Sequence, residues 1–374
     1  MSAPWDVIVV GRGPAAFTAG IAARRAGLSV AVVGVADAAP RWGETLPASC
    51  LPLLSRLGVA DELRNGEHLP EHGLRSVWGR GAAQERSGLF NAYGASVILD
   101  RGRFVRRLED AFRAEGGYLI EGRAGQIRRT GGSYSVSLAG HQNGRCLSAR
   151  ALVDATGIKA QVGRRLGARR AIWARQVAFG ACYEAPPGEY VPRTAFVEAM
   201  EHGWLYAAPV AADRAVVWLV SDADLLLRGG SRGCESMTRQ VRGSLEISRW
   251  LREWRLRETG EWRVRNASVG GLDRAGGDGW IAVGDAALSL DPLSSSGIAF
   301  ALLSGLHGGT AVAKCLNGEA NMLTSYAHLL AQAAKSHMEQ RRRFHRAERR
   351  WPEAAFWMRR NGGHSISGGG QSVY

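Results

Sequence analysis

The chain has 374 residues, of which 45% are hydrophobic, and a formal net charge of +14 at pH 7. This length can bury a large core and is expected to form two closely joined domains. The five cysteines are scattered without a CxxC pair, which indicates reduced thiols in a cytoplasmic protein and excludes a zinc site of that type. The first apolar stretch is a short strand, and no apolar run approaches the length of a membrane span. We therefore expect neither a signal peptide nor a membrane segment.

The first predicted elements are a strand over Val7 to Val10, a tight turn and an alanine-rich helix over residues 15–25. The turn reads GRGPAA, in which Gly11 makes the bend, Gly13 lets the backbone approach phosphates and Ala16 allows close packing of helix on strand. Such a turn places a dinucleotide pyrophosphate at the positive end of a helix. The predicted cofactor-binding residues of this segment are Gly11, Gly13, Pro14, Ala15 and Ala16.

The second predicted strand, residues 29–33, lacks the acidic residue that usually binds the adenosine ribose. It ends in Gly34, and the nearest acid is Asp37. Either Asp37 reaches back from the loop, or backbone and water hold the ribose.

The middle of the chain continues the same domain. Phe104, Leu108 and Phe112 have the spacing of a helix face, and strands are predicted over residues 118–120 and 133–138. The segment ALVDATG at residues 151–157 then reads as a strand that ends in a carboxylate and a glycine turn, and it adds Asp154 and Gly157 to the predicted cofactor site.

A second sheet is predicted from alternating, aromatic-rich segments such as TAFVEAM, GWLYAAPV and RAVVWLVS. We expect it to cover the cofactor and to form the substrate pocket. The predicted substrate domain comprises residues 73–96 and 166–264, and the cofactor domain comprises residues 1–72, 97–165 and 265–318.

A third glycine-bearing motif, GDAALSLDPLSSSG at residues 284–297, follows an apolar strand and precedes a helix predicted over residues 298–305. Its helix N-terminus would stabilise negative charge on the pyrimidine end of a flavin. Together the three motifs predict an FAD site. The residues that this motif contributes are Gly284, Asp285, Pro292, Ser294, Ser295, Ser296, Gly297 and Ile298.

The end of the chain is predicted to be a helical segment over residues 319–360 and a disordered tail over residues 361–374. The run QRRRFHRAERR at residues 340–350 is either a solvated helix face or a docking surface for an acidic protein partner. No aromatic platform is interleaved with this run and no RNA-binding motif is present, so nucleic-acid binding is disfavoured.

The motifs resemble those of two-dinucleotide-binding flavoproteins, and four segments make the resemblance more specific. These are RWGETLPAS (41–49), LDRGRF (99–104), GWIAVGDAALSLDPLSSSGI (279–298) and ERRWPEAAFWMRR (348–360). They look like tryptophan-halogenase-like flavoproteins, and most like the maturases that hydroxylate a protein tryptophan during quinone-cofactor biogenesis. The resemblance implies an α/β fold: an aromatic-hydroxylase-like FAD domain, an inserted mixed β-sheet substrate domain and a C-terminal helical segment.

The same resemblance implies an FAD-dependent monooxygenase that hydroxylates an electron-rich aromatic ring, here tryptophan in a peptide or protein partner, through a flavin C4a-hydroperoxide. The reductant would be NAD(P)H or reduced flavin from a partner reductase. Within the resembling segments, Arg41, Glu44 and Arg103 are the further residues expected to contact FAD.

Two departures from the halogenase pattern disfavour halogenation. Where halogenases have the signature WxWxIP, this chain reads WLYAAP at residues 204–209, so that Tyr206 replaces the second tryptophan and Ala208 replaces the isoleucine. The lysine that halogenases use has no counterpart, because the matching region reads GLRSVWGRG and Lys159 is the first lysine of the chain. A halogenase of an indole or phenol stays the first alternative, and a flavoprotein that mainly binds an acidic partner or nucleic acid stays the second.

Candidate catalytic and substrate-binding residues follow from this reading. Trp204 and Tyr206 would stack on an indole. Pro292 and Tyr206 are predicted to be catalytic, and Pro292 would lie against the flavin near the reacting position. His202 is the candidate acid or base, because an unperturbed histidine titrates near neutrality, and its alternative is a surface position in a turn between strands.

Overall fold

The protein is described by a computed structural model, which covers residues 4–36, 42–63, 66, 68–79, 81–87, 93–139, 146–226, 233–319 and 321–362. The predicted tail therefore lies almost entirely outside the described residues.

The strands were numbered in chain order. They are β1 (Trp5–Val10), β2 (Val30–Gly34), β3 (Thr45–Leu46), β4 (Leu69–Pro70), β5 (Gly73–Val77), β6 (Ala83–Ser87), β7 (Val97–Ile98), β8 (Tyr118–Glu121), β9 (Arg123–Thr130), β10 (Ser133–Ala139), β11 (Cys146–Asp154), β12 (Arg170–Ala174), β13 (Gln176–Glu184), β14 (Thr194–Met200), β15 (Gly203–Pro209), β16 (Arg214–Asp222), β17 (Arg257–Asn266), β18 (Val269–Leu272), β19 (Gly276–Gly277), β20 (Trp280–Ala282) and β21 (Leu288–Ser289).

The helices were numbered in the same way. They are α1 (Pro14–Arg25), α2 (Leu51–Leu57), α3 (Arg101–Ala114), α4 (Gln161–Arg165), α5 (Ala223–Leu226), α6 (Gly233–Gly243), α7 (Glu246–Glu253), α8 (Gly297–Leu316), α9 (Asn321–Ala347) and α10 (Ala355–Asn361).

The first sheet contains β19, β20, β11, β1, β2 and β8 in that order, and β10 and β9 extend it from β11 as an antiparallel pair. The strands β20, β11, β1, β2 and β8 run parallel to one another. Strands such as β1 and β2 are continuous valine and isoleucine runs because helices cover both faces of a parallel sheet. Their carboxyl ends lie along one edge, which is where ligands bind in open α/β sheets.

The second sheet is mixed, with the order β17, β13, β16, β15, β14, β5 and β6, in which only β14 and β5 pair in parallel. The three aromatic segments predicted as strands form β14, β15 and β16. One face, with Leu205 and Leu219, packs against α6 and α7. The other face carries Trp204, Tyr206 and Trp218 and points toward the first sheet's loops.

Two helices of the first domain, α1 and α8, pack closely because small residues line their contact. A Cβ on Gly305 would lie 2.7 Å from the Ala15 carbonyl oxygen, and a Cβ on Gly309 would lie 2.2 Å from that of Ala19. The helix was predicted to end at Gly305. Gly305 and Gly309 instead lie on its packed face, and α8 continues to Leu316.

Contrary to the expectation from the sequence, α8 is long and apolar enough to cross a membrane by length and composition. Half of it is buried in the fold, and its glycine face packs on α1. These contacts are those of the core helix of a folded domain.

The helix α9 contacts both sheets. On the first sheet, the Tyr326 hydroxyl donates to the Ala282 carbonyl of β20 at 2.9 Å. The Trp78 indole N–H, just after β5, donates to the Phe344 carbonyl of α9 at 2.7 Å, and the Gly79 N–H donates to the buried Glu348 carboxylate at 2.9 Å. The predicted architecture is confirmed: a parallel α/β sheet, a second mixed sheet and C-terminal helices.

Candidate functional site

The glycine turn after β1 brings two strand ends into contact. Gly11 has φ +131°, and a Cβ there would lie 2.1 Å from the Ala155 carbonyl oxygen at the end of β11. Only glycine permits this approach. The turn after β20 is equally close: Gly284 has φ +58°, and its Cβ would lie 2.8 Å from the Ala15 Cβ. The first and third motifs of the sequence are thus in direct contact.

Two helix N-termini are left open at this edge. Gly13 is the N-cap of α1 and Gly297 opens α8; neither helix has a side-chain cap hydrogen bond, and a Cβ on either glycine would meet nothing within 4 Å. The first N–H groups of a helix need acceptors, and an anionic ligand can supply them. The space that these glycines leave matches the backbone approach that a dinucleotide requires.

The two N-termini are offset along parallel helix axes. Gly305 of α8 lies beside Ala15 of α1, and Gly309 lies beside Ala19, so both helices run in the same direction. Because α8 starts eight residues before Gly305 and α1 starts one residue before Ala15, the N-terminus of α8 projects roughly 10 Å beyond that of α1. An elongated ligand can therefore place phosphates at α1 and its far end at α8.

The serine loop before α8 uses its hydroxyl groups internally. The hydroxyl of Ser294 donates to the Asp291 carbonyl and that of Ser296 donates to the Ser294 carbonyl, both at 2.9 Å, while Ser295 has φ +48°. Pro292, Ser295 and Gly297 are exposed, and Ile298 is half-buried. This loop therefore offers backbone N–H groups to a ligand, with its side chains shaping the turn.

A buried ion pair fixes the same loop. The Arg341 Nε of α9 donates to the Asp291 carboxylate at 2.7 Å; the Arg341 side chain is 10% exposed and that of Asp291 is 1% exposed. Burial alone would raise the pKa of Asp291, but the Arg341 guanidinium and further hydrogen bonds lower it below its ordinary value. The Asp291 N–H also donates to the His337 Nε2 at 2.8 Å. Arg341 therefore belongs to the interior of the protein and not to a docking surface.

Asp285 lies at the centre of a group of charged side chains. Its side chain is exposed, the protein packed around it raises its pKa by desolvation, and Arg101 and Arg170 oppose the rise. Arg101 forms an ion pair with Glu44. Arg170 donates to the Asp285 carbonyl at 3.1 Å and so holds the turn. Glu44 and Asp285, both predicted from the sequence, are thus in one cluster.

Arg101 and Arg170 were not predicted. Arg101 could have been found, because it precedes Phe104 by three residues and so lies on the helix face whose members Phe104 and Leu108 are buried. The nearby Arg103, which was predicted, donates its N–H to the capping Asp100 carboxylate at 3.0 Å. Arg170 gave no signal, since it starts β12 outside any motif.

The Asp154 carboxylate is buried and supports its own turn. It accepts hydrogen bonds from the Thr156 N–H at 3.0 Å, the Thr156 hydroxyl at 2.6 Å and the Gly163 N–H at 2.8 Å. Its side chain therefore shapes the site through the turn that contains Gly157, whose φ is +65° and whose Cβ would meet nothing within 4 Å.

The adenosine end of the predicted site is only partly described, because Asp37 and Arg41 lie outside the described residues. The structure does explain the missing acid at the end of β2. A Cβ on Gly34 would lie 2.7 Å from the Arg12 Cβ, so the close packing of this strand end under the glycine turn requires glycine.

The loop after residue 41 is fastened to the second sheet. The Tyr206 hydroxyl donates to the Gly43 carbonyl at 2.7 Å, and the Trp218 indole N–H donates to the Trp42 carbonyl at 2.9 Å. Tyr206 is half-buried with its hydroxyl committed to this loop, and burial raises its pKa. Tyr206 therefore joins the sheet to the segment that carries Glu44.

Trp204 and His202 lie away from this cluster. Trp204 is 3% exposed and packs with Phe356 and Trp357, so it contributes to a core and presents no open ring face. His202 is exposed in the turn between β14 and β15, 3.9 Å from the Glu201 carboxylate, which is the alternative foreseen from the sequence. This position gives His202 no buried partner for acid–base catalysis.

These features fit FAD. The open glycines and uncapped helices would hold the pyrophosphate and the flavin, and the exposed Asp285 carboxylate would accept a hydrogen bond from a ligand hydroxyl. Among the described residues, no cluster of histidine, cysteine, aspartate or glutamate has the arrangement of a metal site.

Comparisons with known proteins agree with this fit. The tryptophan halogenase family matches residues 80–364. LodB of Marinomonas mediterranea, which is classed as an FAD-dependent oxidoreductase, is 26% identical over 362 residues, covering 96% of this chain and 97% of that protein.

Two solved structures are also similar. The flavin-dependent halogenase CmlS is 20% identical, covers 98% of this chain and 69% of its own, and superposes with a TM-score of 0.84. The peptidyl tryptophan dihydroxylase QhpG is 25% identical, covers 98% of this chain and 80% of its own, and superposes with a TM-score of 0.79. The predicted fold class is confirmed, and the chain belongs to the tryptophan halogenase family of FAD-dependent oxidoreductases.

Proposed function

We propose that the protein is a monooxygenase that hydroxylates an electron-rich aromatic ring, with tryptophan in a peptide or protein as its substrate. The observation that carries this proposal is the absence of lysine from the sheet that faces the flavin site. Lys159 follows β11, Lys314 lies in the last turn of α8 and Lys335 lies on α9, and there is no other lysine in the sequence. Arginine holds its proton too firmly to replace a reactive lysine amine.

When bound and reduced, FAD would pass two electrons to dioxygen and so activate it for the reaction. The chain would bind the pyrophosphate at Gly13, hold the flavin end at the serine loop and keep that loop in place through Arg341 and Asp291. The face of the second sheet with Tyr206 would cover the ring and exclude water. The reductant, NAD(P)H or reduced flavin from a partner, is part of the proposal.

A peptide or protein substrate is supported by the similarity to QhpG, a peptidyl tryptophan dihydroxylase. It is also supported by exposed arginines, Arg342, Arg343 and Arg346 on the solvent side of α9 and Arg349 just after it. These side chains form no ion pair within the described residues. They could attract an acidic partner by long-range electrostatics. The docking surface is therefore proposed without Arg341.

Gly13→Ala separates cofactor binding from folding. A Cβ at Gly13 meets no protein atom within 4 Å, and its φ of −101° suits alanine, so the apoprotein should keep its stability within about 0.5 kcal/mol. The same Cβ would occupy the space proposed for the pyrophosphate, so FAD affinity should fall at least tenfold, about 1.4 kcal/mol. Calorimetry of FAD binding and urea unfolding of the apoprotein measure the two effects. Unchanged FAD affinity would argue against this placement of the phosphates.

The reaction type is tested by mass spectrometry of products formed in excess chloride or bromide. Reduced enzyme, oxygen and a panel of free tryptophan, a short tryptophan peptide and a phenol should give products that gain oxygen and no halogen, because no lysine faces the site. The peptide should react best. A product that gains chlorine or bromine would favour the alternative, a flavin-dependent halogenase. The similarity of the fold to that of the halogenase CmlS is the reason to test this alternative. Preferential turnover of free tryptophan would reject the peptide substrate.

A further inference from the structure

Glu71, directly after β4, has a carboxylate that the functions above do not use. Its Oε2 is buried and makes no hydrogen bond in the part of the chain that the structure describes. A buried polar atom without a partner costs free energy, so such atoms are few in native proteins and often have a ligand-binding or catalytic role.

Strand pairing places this carboxylate beside the loop that carries Glu44. In the small sheet of β3, β7 and β4, Thr45 and Leu69 both pair with Ile98, and the Glu71 N–H donates to the Ser96 carbonyl at 2.8 Å. The Thr45 hydroxyl interacts with Glu71 and lies 3.2 Å from the Tyr206 hydroxyl, which donates to the Gly43 carbonyl. Tyr206 also interacts electrostatically with both Glu71 and Glu44. Glu71 therefore lies between the sheet and the loop that carries Glu44.

Charge interactions connect this loop to the turn that carries Asp285. Glu44 directly precedes Thr45, the first residue of β3, and pairs with Arg101, which acts electrostatically on Asp285. A series of interactions through Thr45, Glu44 and Arg101 thus links Glu71 to the Asp285 cluster. A substrate ring held between the sheet and the flavin would lie in this region.

We propose that Glu71 accepts the proton that the aromatic substrate loses, an inference that rests on the proposed reaction at an electron-rich ring. One atom of dioxygen bonds to a ring carbon, the C–H electron pair returns to the ring and the proton passes to Oε2. The other oxygen atom leaves as water, and reduced flavin supplies two electrons. Halogenation would displace the same ring proton, so this role is independent of which atom enters the ring.

The surroundings of Glu71 favour this role. Burial raises the pKa of Glu71, while the Thr45 hydroxyl and Arg86 of β6 oppose the rise; Tyr206 of β15 and Glu44 are the other ionisable groups nearby. A carboxylate whose pKa lies closer to neutrality is a stronger base than a surface carboxylate.

The experiment compares Glu71→Gln, Glu71→Asp and wild type in a single turnover. Each FAD-loaded protein is reduced without oxygen and then mixed with oxygen and N-acetyltryptophanamide or a short tryptophan peptide, and product per flavin oxidised is measured. Glu71→Gln should lower this yield about 10²-fold, the usual contribution of a positioned acid or base, while FAD content and the rate of flavin reoxidation stay unchanged. Glu71→Asp should restore part of the yield. Glu85→Gln, which changes an exposed glutamate on β6, is the matched control and should behave like wild type.

A pH series supplies the readout that a structural role would not change. The wild-type yield should fall as the pH is lowered through the raised pKa of Glu71, because the protonated carboxyl cannot accept a proton, and the low yield of Glu71→Gln should not change with pH. A Glu71→Gln yield within threefold of wild type would overturn the proposal. If wild type forms halogenated product instead, the monooxygenase proposal fails while Glu71 is still tested, since Glu71→Gln must lower that yield by the same factor. If wild type forms neither product with either probe, both proposals are rejected.

Discussion

Replacing Arg341 with glutamine should lower the free energy of unfolding by about 3–5 kcal/mol, because it leaves the Asp291 carboxylate charged and buried without its partner. The side chain of Asp291 is almost fully buried, so water cannot replace the guanidinium. The serine loop that follows Asp291 should also lose its fixed position, so FAD affinity should fall as well. Urea unfolding of the apoprotein and calorimetry of FAD binding measure the two losses.

Arg342→Gln is the matched control for this prediction. Arg342 is the next residue on the same helix and is exposed, so its replacement should change stability by no more than about 0.5 kcal/mol. The double variant Asp291→Asn with Arg341→Gln removes both charges and should recover part of the loss. If Arg341→Gln unfolds at the same urea concentration as Arg342→Gln, the ion pair does not hold the loop.

The cofactor half of the site could be predicted from the sequence because its determinants are local. A valine strand, a glycine turn and an alanine helix, all within about 20 residues, specify the open helix N-terminus that is proposed to bind the pyrophosphate. The turn at Gly284 and the serine loop likewise follow from a strand, a glycine and a helix start. The strand pattern alone cannot place these segments side by side; Gly11, Gly305 and Gly309 do so through close backbone contacts that leave no room for a side chain.

The chemistry of the substrate side could not be predicted in the same way. The pairs Glu44 with Arg101 and Asp291 with Arg341 join residues 57 and 50 positions apart, and no local pattern shows which residues pair with each other. Trp204 illustrates the same difficulty. The alternating pattern of β15 indicates which face of the sheet Trp204 occupies. That this face is covered follows only from the packing of Phe356 and Trp357, more than 150 residues later, against Trp204.

The basic run at residues 340–350 shows why a charge run cannot be interpreted as a single surface. On a helix, neighbouring residues point in different directions, so Arg341 and His345, four residues apart, lie on the buried side while Arg342 and Arg346 are exposed. Burial lowers the pKa of His345 to about 3, which means that it is neutral in the folded protein. Only part of the formal charge of this run is therefore available to a partner.

Gly309→Ala should destabilise the apoprotein by about 1–3 kcal/mol, which reverses the usual effect of this substitution. In the interior of a helix, alanine is normally more stable than glycine by roughly 0.5–1 kcal/mol. At this position the new Cβ would lie 2.2 Å from the Ala19 carbonyl oxygen, a backbone atom, so α8 and α1 must move apart.

The same movement should weaken FAD binding, because the two helix N-termini proposed to hold the cofactor are positioned by this contact. Leu303→Ala, at an exposed site on the same helix, is the control for stability. The two glycine variants should therefore differ in their effects. Gly13→Ala should reduce FAD affinity without changing apoprotein stability, and Gly309→Ala should reduce both. Urea unfolding and FAD titration of both variants decide the matter, and a Gly309→Ala protein that is more stable than wild type would show that α1 and α8 are not packed through this glycine.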